Sequence, residues 1–200
     1  MSLAEVRNPK SVKTAHSLRT LYFVRMIFSV IWVALIFILV STVTVASGAS
    51  VLAGVLLVIY PIWDVVATVF DIRASHGSQS TTPQLVNIVI GALAALAMIV
   101  ALISGLTAAL VVFGAWASVS GAIQLFLALR RRRALGSQWP MIISGALSLV
   151  AGFVFIASAS SPKTGLATLA GYSAFGAFWY LIAAIALTFS TRSRSVAAGS

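Results

Sequence analysis

Apolar residues fall in six long runs along the chain, separated by short polar segments. A transmembrane α-helix needs about 20 mainly apolar residues, and each run is about that long. Strands of a membrane barrel are about 10 residues of alternating polarity, whereas these runs are continuous. The pattern therefore predicts an all-α, polytopic membrane protein with six transmembrane helices. The runs cover residues 21–40, 48–70, 84–103, 106–129, 139–157 and 165–189.

The spacing of the runs predicts three antiparallel hairpins, at residues 21–70, 84–129 and 139–189, each closed by a short turn. A basic tail at residues 1–20 precedes this six-helix transmembrane domain, and a tail at residues 190–200 follows it. The first run also has the basic lead of a cleaved signal peptide. The apolar core of a signal peptide is typically about 7–15 residues, and this run is longer, so we expect an uncleaved helix.

The basic residues lie on alternate connections, which predicts the orientation of the helices. The N-terminal tail, the 2–3 and 4–5 loops and the C-terminal tail hold eleven Lys and Arg residues, whereas the three connections on the other side hold only Lys163. Short loops rich in Lys and Arg stay in the cytoplasm. We therefore expect a multi-pass protein of the bacterial cytoplasmic membrane with both termini in the cytoplasm.

Composition argues against most kinds of chemistry. Charged residues make up 8% of the chain and hydrophobic residues 60%, and there is no cysteine. The chain has two histidines and three scattered acids, Glu5, Asp64 and Asp71, whereas catalytic and metal sites need clusters of such groups. We therefore expect no enzyme activity, no catalytic residues, no metal site and no cofactor. Topology accounts for the net charge of +10, so we expect the lipid bilayer as partner and no nucleic acid.

Short similarities between the runs predict an internal repeat. Residues 90–93 in the third run resemble residues 144–147 in the fifth, 54 positions later. The end of the second run, residues 64–73, aligns with the end of the fourth, residues 121–130. A period of about 55 residues fits one hairpin per repeat. We therefore expect three related hairpins.

Two segments carry a more specific resemblance. Residues 113–133 contain Phe-Gly-Ala-Trp, then Gly-Ala-Ile-Gln and four arginines, and residues 139–172 contain Ser-Gly-Ala-Leu-Ser-Leu-Val-Ala-Gly, then Ser-Pro and Leu-Ala-Gly-Tyr. Together they resemble the HdeD-like family of small bacterial inner-membrane proteins, which are built from short hairpin repeats. The resemblance implies an association with acid resistance and supplies no catalytic residues. In the first hairpin, Asp64 stands where Gly121 stands in the next repeat.

Four polar side chains inside the runs form a candidate intramembrane site. A carboxylate inside a span is costly and usually faces a partner in the bundle interior. By helix rise, Asp64 and Arg25 both lie about 7–9 Å below the predicted inner surface, and Asn87 and Gln124 lie near the same depth. We expect Arg25, Asp64, Asn87 and Gln124 to form one polar layer. Such a layer is either a proton, ion or ligand site, or a structural set of hydrogen bonds between helices.

Small residues recur every four positions in two runs and predict close helix packing, either within the bundle or between copies in a homo-oligomer. Four consecutive arginines are candidate contacts for anionic lipids as well as a topology signal. Tyr22, Trp63 and Trp139 suit interfacial anchors. The small residues are Gly114, Ser118 and Ala122 in one stripe and Ser144, Ser148 and Gly152 in the other, and the arginines are Arg130, Arg131, Arg132 and Arg133.

Two functions are compatible with these features. The first is a non-enzymatic role in envelope or acid stress response or in membrane organisation, as the resemblance implies. The second is a small transporter or channel that uses the layer around Arg25 and Asp64. The predicted outer face has no His, Asp or Glu, so this face does not itself sense external acid. A cavity that reaches Asp64 would favour the second function.

Cysteine labelling tests the orientation, because a chain without native cysteine offers each introduced residue as the sole target. Ser161→Cys, in the 5–6 turn, should react with a membrane-impermeant maleimide added to intact cells. Ser78→Cys, in the 2–3 loop on the basic side, should react only after the cells are opened. The reverse pattern would place the termini outside the cell and contradict the predicted topology.

Overall fold

The computed structural model describes residues 9–42, 48–74, 81–135 and 138–199, and these residues form six α-helices and no strand. Each helix is long and apolar enough to cross a membrane. The prediction of an all-α polytopic membrane protein is confirmed. The helices are α1 (Pro9–Thr42), α2 (Gly48–Ala74), α3 (Thr82–Ser104), α4 (Leu106–Leu135), α5 (Trp139–Ser158) and α6 (Leu166–Gly199).

Two helices extend into the segments predicted as tails, since α1 begins at Pro9 and α6 ends at Gly199. Ala15 and Leu18 of the predicted N-terminal tail are fully buried, in a cluster that includes Leu187 of α6. This contact gives the first turns of α1 an apolar face to bury. Helix α1 therefore continues beyond the run that is long enough to span the bilayer.

The helices form a ring in chain order, in which each helix contacts the next and α6 contacts α1. The members of each predicted hairpin are therefore neighbours. The most extensive contacts, however, are α4 with α5 and α1 with α6, which join different hairpins, and the α1–α2 and α5–α6 contacts are smaller. The three-repeat relation stays a prediction. We call the end of the ring with the termini and the α2–α3 and α4–α5 connections the basic end, and the opposite end the far end.

The α3–α4 connection at the far end is a single residue. Gly105 has a φ of 105°, a left-handed conformation in which a Cβ would be strained. Its amide donates to the carbonyl of Leu102 at 3.3 Å, which closes the last turn of α3. Glycine at this position therefore lets the chain enter α4 without a longer loop.

The buried apolar residues form two clusters, one toward each end of the ring. The far cluster includes Trp32, Leu57 and Phe113, and the basic-end cluster includes Leu18 and Met141. On the five helices that contribute to both clusters (all except α3), the residues between the clusters include polar ones. The polar level that holds the candidate site therefore lies between two apolar layers.

The two predicted stripes of small residues face each other where α4 packs on α5. A Cβ at Gly114 would lie 2.6 Å from the carbonyl oxygen of Gly152, so no side chain fits between these backbones. Ser118 and Ser148 each donate a hydrogen bond of 3.2 Å to a backbone carbonyl of the opposite helix. These four residues make helix contacts within the bundle, as predicted. Ser144 is buried and Ala122 half-buried, and packing between copies of the chain stays a prediction.

The variant Gly145→Ala tests this close approach of α4 and α5. The added methyl would lie 2.6 Å from the amide nitrogen of Leu125 and 2.9 Å from the carbonyl oxygen of Gly121. The backbone atoms of a helix cannot shift one at a time to make room for the methyl. Overpacking of this kind lowers the free energy of unfolding by about 1–3 kcal/mol. The midpoint of thermal unfolding in detergent should therefore fall.

The matched control is Gly171→Ala in α6, where a new methyl would meet no atom within 4 Å. Alanine is the better helix former by roughly 1 kcal/mol, so this variant should keep or raise the midpoint. Equal midpoints for the two variants would mean that α4 and α5 are not in backbone contact.

Candidate functional site

The four polar residues predicted to share one layer come together inside the bundle. Arg25 Nη1 donates to Asp64 Oδ1 at 2.9 Å, and the two side chains are 15% and 14% exposed. Asn87 Nδ2 donates to the second carboxylate oxygen, Oδ2, at 2.8 Å. Asp64 is thus held from α1 and from α3. The ion pair predicted from matched depth is confirmed.

A tyrosine from α6 connects Gln124 to this group. Arg25 Nη1 also donates to the Tyr180 hydroxyl at 3.0 Å, and that hydroxyl donates to Gln124 Oε1 at 3.4 Å. Gln124 Nε2 in turn donates to the backbone carbonyl of Met141 on α5 at 3.4 Å. Hydrogen bonds therefore link all six helices at one level.

Thr68, one turn from Asp64 on α2, completes the group. Its hydroxyl accepts from Asn87 Nδ2 at 2.9 Å and donates to the backbone carbonyl of Asp64 at 2.7 Å. The polar side chains on α2 and α3 are therefore bonded to each other as well as to Arg25. We call these side chains the central network, which consists of Arg25, Asp64, Thr68, Asn87, Gln124 and Tyr180.

A second polar layer lies about two helical turns, roughly 10 Å, closer to the basic end. Arg131 Nη2 donates to Asp71 Oδ2 at 2.7 Å. In the amide orientation that satisfies both of its ends, Gln84 accepts from Arg131 at 3.2 Å. The Tyr22 hydroxyl donates to Gln138 Oε1 at 3.4 Å. We call these five residues the basic-end layer. Four of them, Tyr22, Asp71, Gln84 and Gln138, are buried in the protein.

Arg131 therefore departs from the role predicted for the arginine cluster. It turns inward because Asp71 supplies a counter-charge there, and its side chain is 11% exposed. Arg132 and Arg133 are exposed, and the guanidinium carbon of Arg130 lies 5.5 Å from the ring centre of Phe126. Contact of these three with anionic lipid stays a prediction. Tyr22, predicted as an interfacial anchor, is likewise buried in the basic-end layer, whereas Trp139 is exposed.

The helices surround a cavity of about 540 Å³, which extends from the basic-end layer past the central network toward the far end. Arg25, Asp64, Asn87 and Gln124 all line it. Small-molecule sites typically measure about 300–1,000 Å³, so the cavity has the size of a ligand site. The carboxylate inside span 2 is therefore reached by a space that holds more than a single water molecule.

Several polar atoms of the cavity wall have no hydrogen-bond partner among the residues that the structure describes. Asn87 Oδ1 and Asp71 Oδ1 are acceptors of this kind, the indole nitrogens of Trp116 and Trp179 are donors, and Ser120 Oγ is both. Asn87 and Trp116 are each only 6% exposed. A buried polar group without a partner costs about 1–3 kcal/mol. The residues of the wall therefore carry hydrogen-bonding capacity that the described protein atoms do not use.

Beyond the central network the cavity wall is largely aromatic. Tyr60 and Trp116 meet edge to face with ring centres 5.6 Å apart, and Phe155 and Tyr172 do so at 5.5 Å. The Tyr172 hydroxyl shares a hydrogen bond with Ser148 Oγ, so the protein itself provides a partner for this hydroxyl. The cavity is polar at its network end and presents flat apolar surfaces toward the far end.

Comparison with known proteins gives one match. Residues 85–157 match the model of a family described as a short repeat of unknown function, DUF308. The matched segment covers nearly all of α3, α4 and α5, and so includes Asn87, Gln124 and both stripes of small residues. No curated protein and no solved structure matches the chain.

Sequence reasoning missed Tyr180 and the pair of Asp71 and Arg131. Tyrosine is common at membrane interfaces, so Tyr180 does not stand out in the sixth run. Asp71 and Arg131 lie at the ends of runs, where topology alone accounts for charges. The sequence spacing did contain a signal for this pair. Asp71 lies seven residues after Asp64, and Arg131 lies seven residues after Gln124, which is about two helical turns in each case. Two matched pairs on two helices indicate a second layer rather than loop charges.

Removing the carboxylate at the centre of the network should destabilise the bundle. Asp64→Asn leaves the Arg25 charge without its counter-charge, which costs up to about 3–5 kcal/mol in a closed interior. Because both side chains line a cavity that water can enter, we expect about 1–3 kcal/mol, measured by unfolding in detergent.

A double-mutant cycle separates the ion pair from the two side chains acting alone. Arg25→Gln, Asp64→Asn and the combined variant should show a coupling of at least about 1 kcal/mol, since the residues are in contact. Lys163→Gln, at an exposed turn residue, is the control and should leave stability unchanged. Additive effects of the two substitutions would show that the pair does not hold the helices together.

Proposed function

We propose that this protein is a non-enzymatic small-molecule carrier of the bacterial cytoplasmic membrane, with both termini in the cytoplasm. The observation that carries the proposal is the cavity of about 540 Å³ that reaches Arg25 and Asp64 from within the bundle. Of the two functions compatible with the sequence, the small transporter thereby becomes the favoured one.

Unused hydrogen-bonding capacity supports a binding role for the cavity. A structural polar layer would be expected to satisfy its own donors and acceptors, since half-satisfied networks are costly. Here Asn87 and Trp116 are nine-tenths buried and each offers an atom without a partner among the described residues. Both side chains line the cavity, so a ligand bound there would lie beside them.

The basic-end layer supports a carrier rather than an open channel. The Asp71–Arg131 pair joins α2 to α4, and the Tyr22–Gln138 bond joins α1 to the α4–α5 connection. Both lie between the cavity and the basic end, and they would have to open before a ligand could pass. A site near mid-membrane that opens to one side at a time is the arrangement that transporters use.

The same geometry supports a non-enzymatic role. Asp64 and Asp71, the two carboxylates that line the cavity, are each held in an ion pair with an arginine. Both carboxylates are thereby engaged in holding helices together. The chain also has no cysteine to act as a nucleophile.

The relation to HdeD-like proteins is part of this proposal. The short repeat matched by residues 85–157 is typical of HdeD-like membrane proteins, and the resemblance in residues 113–172 points the same way. A role in envelope or acid stress rests on that relation alone and stays a prediction. A carrier in the cytoplasmic membrane is compatible with such a role.

Native mass spectrometry of the detergent-purified protein tests the binding step. The wild type should retain a non-covalently bound small molecule from its membrane. Ser120→Phe, which places a ring in the cavity, should lose that molecule, because the ring occupies the space that the ligand needs. Val119→Phe, at the neighbouring exposed position of the same helix, is the control and should retain it.

The molecule identified in this way then provides the transport assay. Loaded into proteoliposomes, it should leave faster with the wild type or Val119→Phe than with Ser120→Phe. A wild type without bound molecule, or equal retention in both variants, would contradict the proposed function. Retention without accelerated efflux would show that the protein binds the molecule but does not transport it.

A further inference from the structure

We propose that the cavity opens sideways into the bilayer between α5 and α6 and takes up a single-chain amphiphile with an uncharged head. This inference rests on the proposed function, because it names the entry route and the ligand class of the same cavity. Three independent features carry it: the exposure of the wall residues, the space at one glycine, and the balance of charge.

Exposure of the wall residues locates the opening. Among the described residues that line the cavity, the exposed ones all belong to α5 and α6. Val150 is 58% exposed, Val154 56% and Phe175 48%. Lining residues of the other four helices face the same cavity but are half-buried or buried. The exposure of the α5 and α6 residues therefore arises at an opening, whose rim consists of Leu147, Val150, Val154, Thr168 and Phe175.

Helix packing explains why the opening lies there. Helix α5 packs its small residues closely on α4, and α6 packs extensively on α1, whereas the contact of α5 with α6 is small. Gly176 of α6 lines the cavity, and a Cβ at this position would meet no atom within 4 Å. Among the described residues, no atom therefore fills the space next to Gly176 on the cavity wall.

The chemistry of the rim indicates entry from lipid. Four of its five residues are apolar, and the hydroxyl of Thr168 is used within the α5–α6 turn, where it donates to the Lys163 carbonyl at 3.4 Å. The opening faces outward from the ring, where the hydrocarbon core of a bilayer lies. A molecule dissolved in that core reaches the cavity without crossing the basic-end layer, whereas a fully polar solute does not enter hydrocarbon.

The polarity gradient inside the cavity orients the ligand. On α5, Met141 marks the level of the central network and Val154 the far side of the rim, about 20 Å apart by helix rise. Unpartnered groups at the level of the network lie on Asn87 and Trp179. A ligand with a polar head at the network and one apolar chain toward the rim satisfies both regions.

Charge balance selects an uncharged head. Among the described residues, four charged side chains line the cavity, and they form two complete pairs, Arg25 with Asp64 and Arg131 with Asp71. A charged head would enter a site with no counter-charge to spare, which is costly in a medium of low polarity. The available groups are neutral donors and acceptors together with one oxygen of the paired Asp71. Hydroxyl or amide groups, which both donate and accept, match this set.

Photolabelling in phosphatidylcholine nanodiscs tests the proposal. The probe is monolauroylglycerol with a diazirine in its chain, and adducts are located by peptide mass spectrometry. Labelling in residues 147–155 and 172–179 should be displaced by unlabelled monolauroylglycerol. Dodecanoate and dodecyltrimethylammonium, which carry an anionic and a cationic head on a similar chain, should displace it at least about tenfold less well, about 1.4 kcal/mol. Equal displacement by either would overturn the choice of head.

Two glycines of α6 give a matched pair of variants for the entry route. Gly176→Trp fills the opening, whereas Gly171→Trp adds the same ring to an exposed position outside the cavity wall; neither new Cβ meets an atom within 4 Å. Displaceable labelling should fall at least about tenfold in the first and stay unchanged in the second. Gly176→Leu, a smaller obstruction, should reduce labelling by less and provides the test if Gly176→Trp fails to fold.

The outcomes separate this inference from the proposed function. If Gly176→Trp or Gly176→Leu folds and keeps full displaceable labelling, the sideways opening is wrong. If the wild type shows no displaceable labelling but retains a bound molecule in native mass spectrometry, the amphiphile assignment fails and the proposed function stands. If it shows neither, both fail.

Discussion

Asp64 sets the arrangement of the polar interior. Hydrocarbon provides no water to solvate a carboxylate, so charge and hydrogen bonds have to come from neighbouring helices. Arg25 supplies the charge from α1, and Asn87 supplies a donor from α3. Arg25 then holds Tyr180, which reaches Gln124 on α4. Satisfying one carboxylate thus fixes the relative depth of five helices, and it creates the polar level that divides the apolar core into two clusters.

Close packing of α5 on α4 contrasts with its small contact with α6. Gly145 and Gly152 bring the backbone of α5 against α4, where a Cβ on either would clash. Helix α6 packs against α1, its other neighbour in the ring, and Leu187 of α6 belongs to the basic-end cluster. The small-residue stripes thus place α5 against α4, while the contact of α5 with α6 is small.

Sequence patterns predict what depends on one helix at a time. Apolar runs predict the six helices, and counting residues from a span end matches the depths of Arg25 and Asp64. The stripe from Gly114 to Ala122 predicts a packing face but not its partner, because the partner depends on the order of helices around the ring. The cavity escapes prediction for the same reason, since its volume is set by distances between helices. Tyr180 joins the network only because α6 packs on α1.

The distribution of satisfied and unsatisfied groups separates holding the fold from binding a ligand. Asp64 accepts on both carboxylate oxygens, and Arg25 is shared between Asp64 and Tyr180. These charges are saturated by the protein, so a neutral ligand gains little from them directly. Asn87 shows the division within one side chain: its nitrogen donates to Asp64 and Thr68, and its oxygen is left over. Recognition in this cavity therefore depends on leftover neutral groups whose positions the ion pair fixes, and selectivity follows from hydrogen bonding and shape rather than from charge.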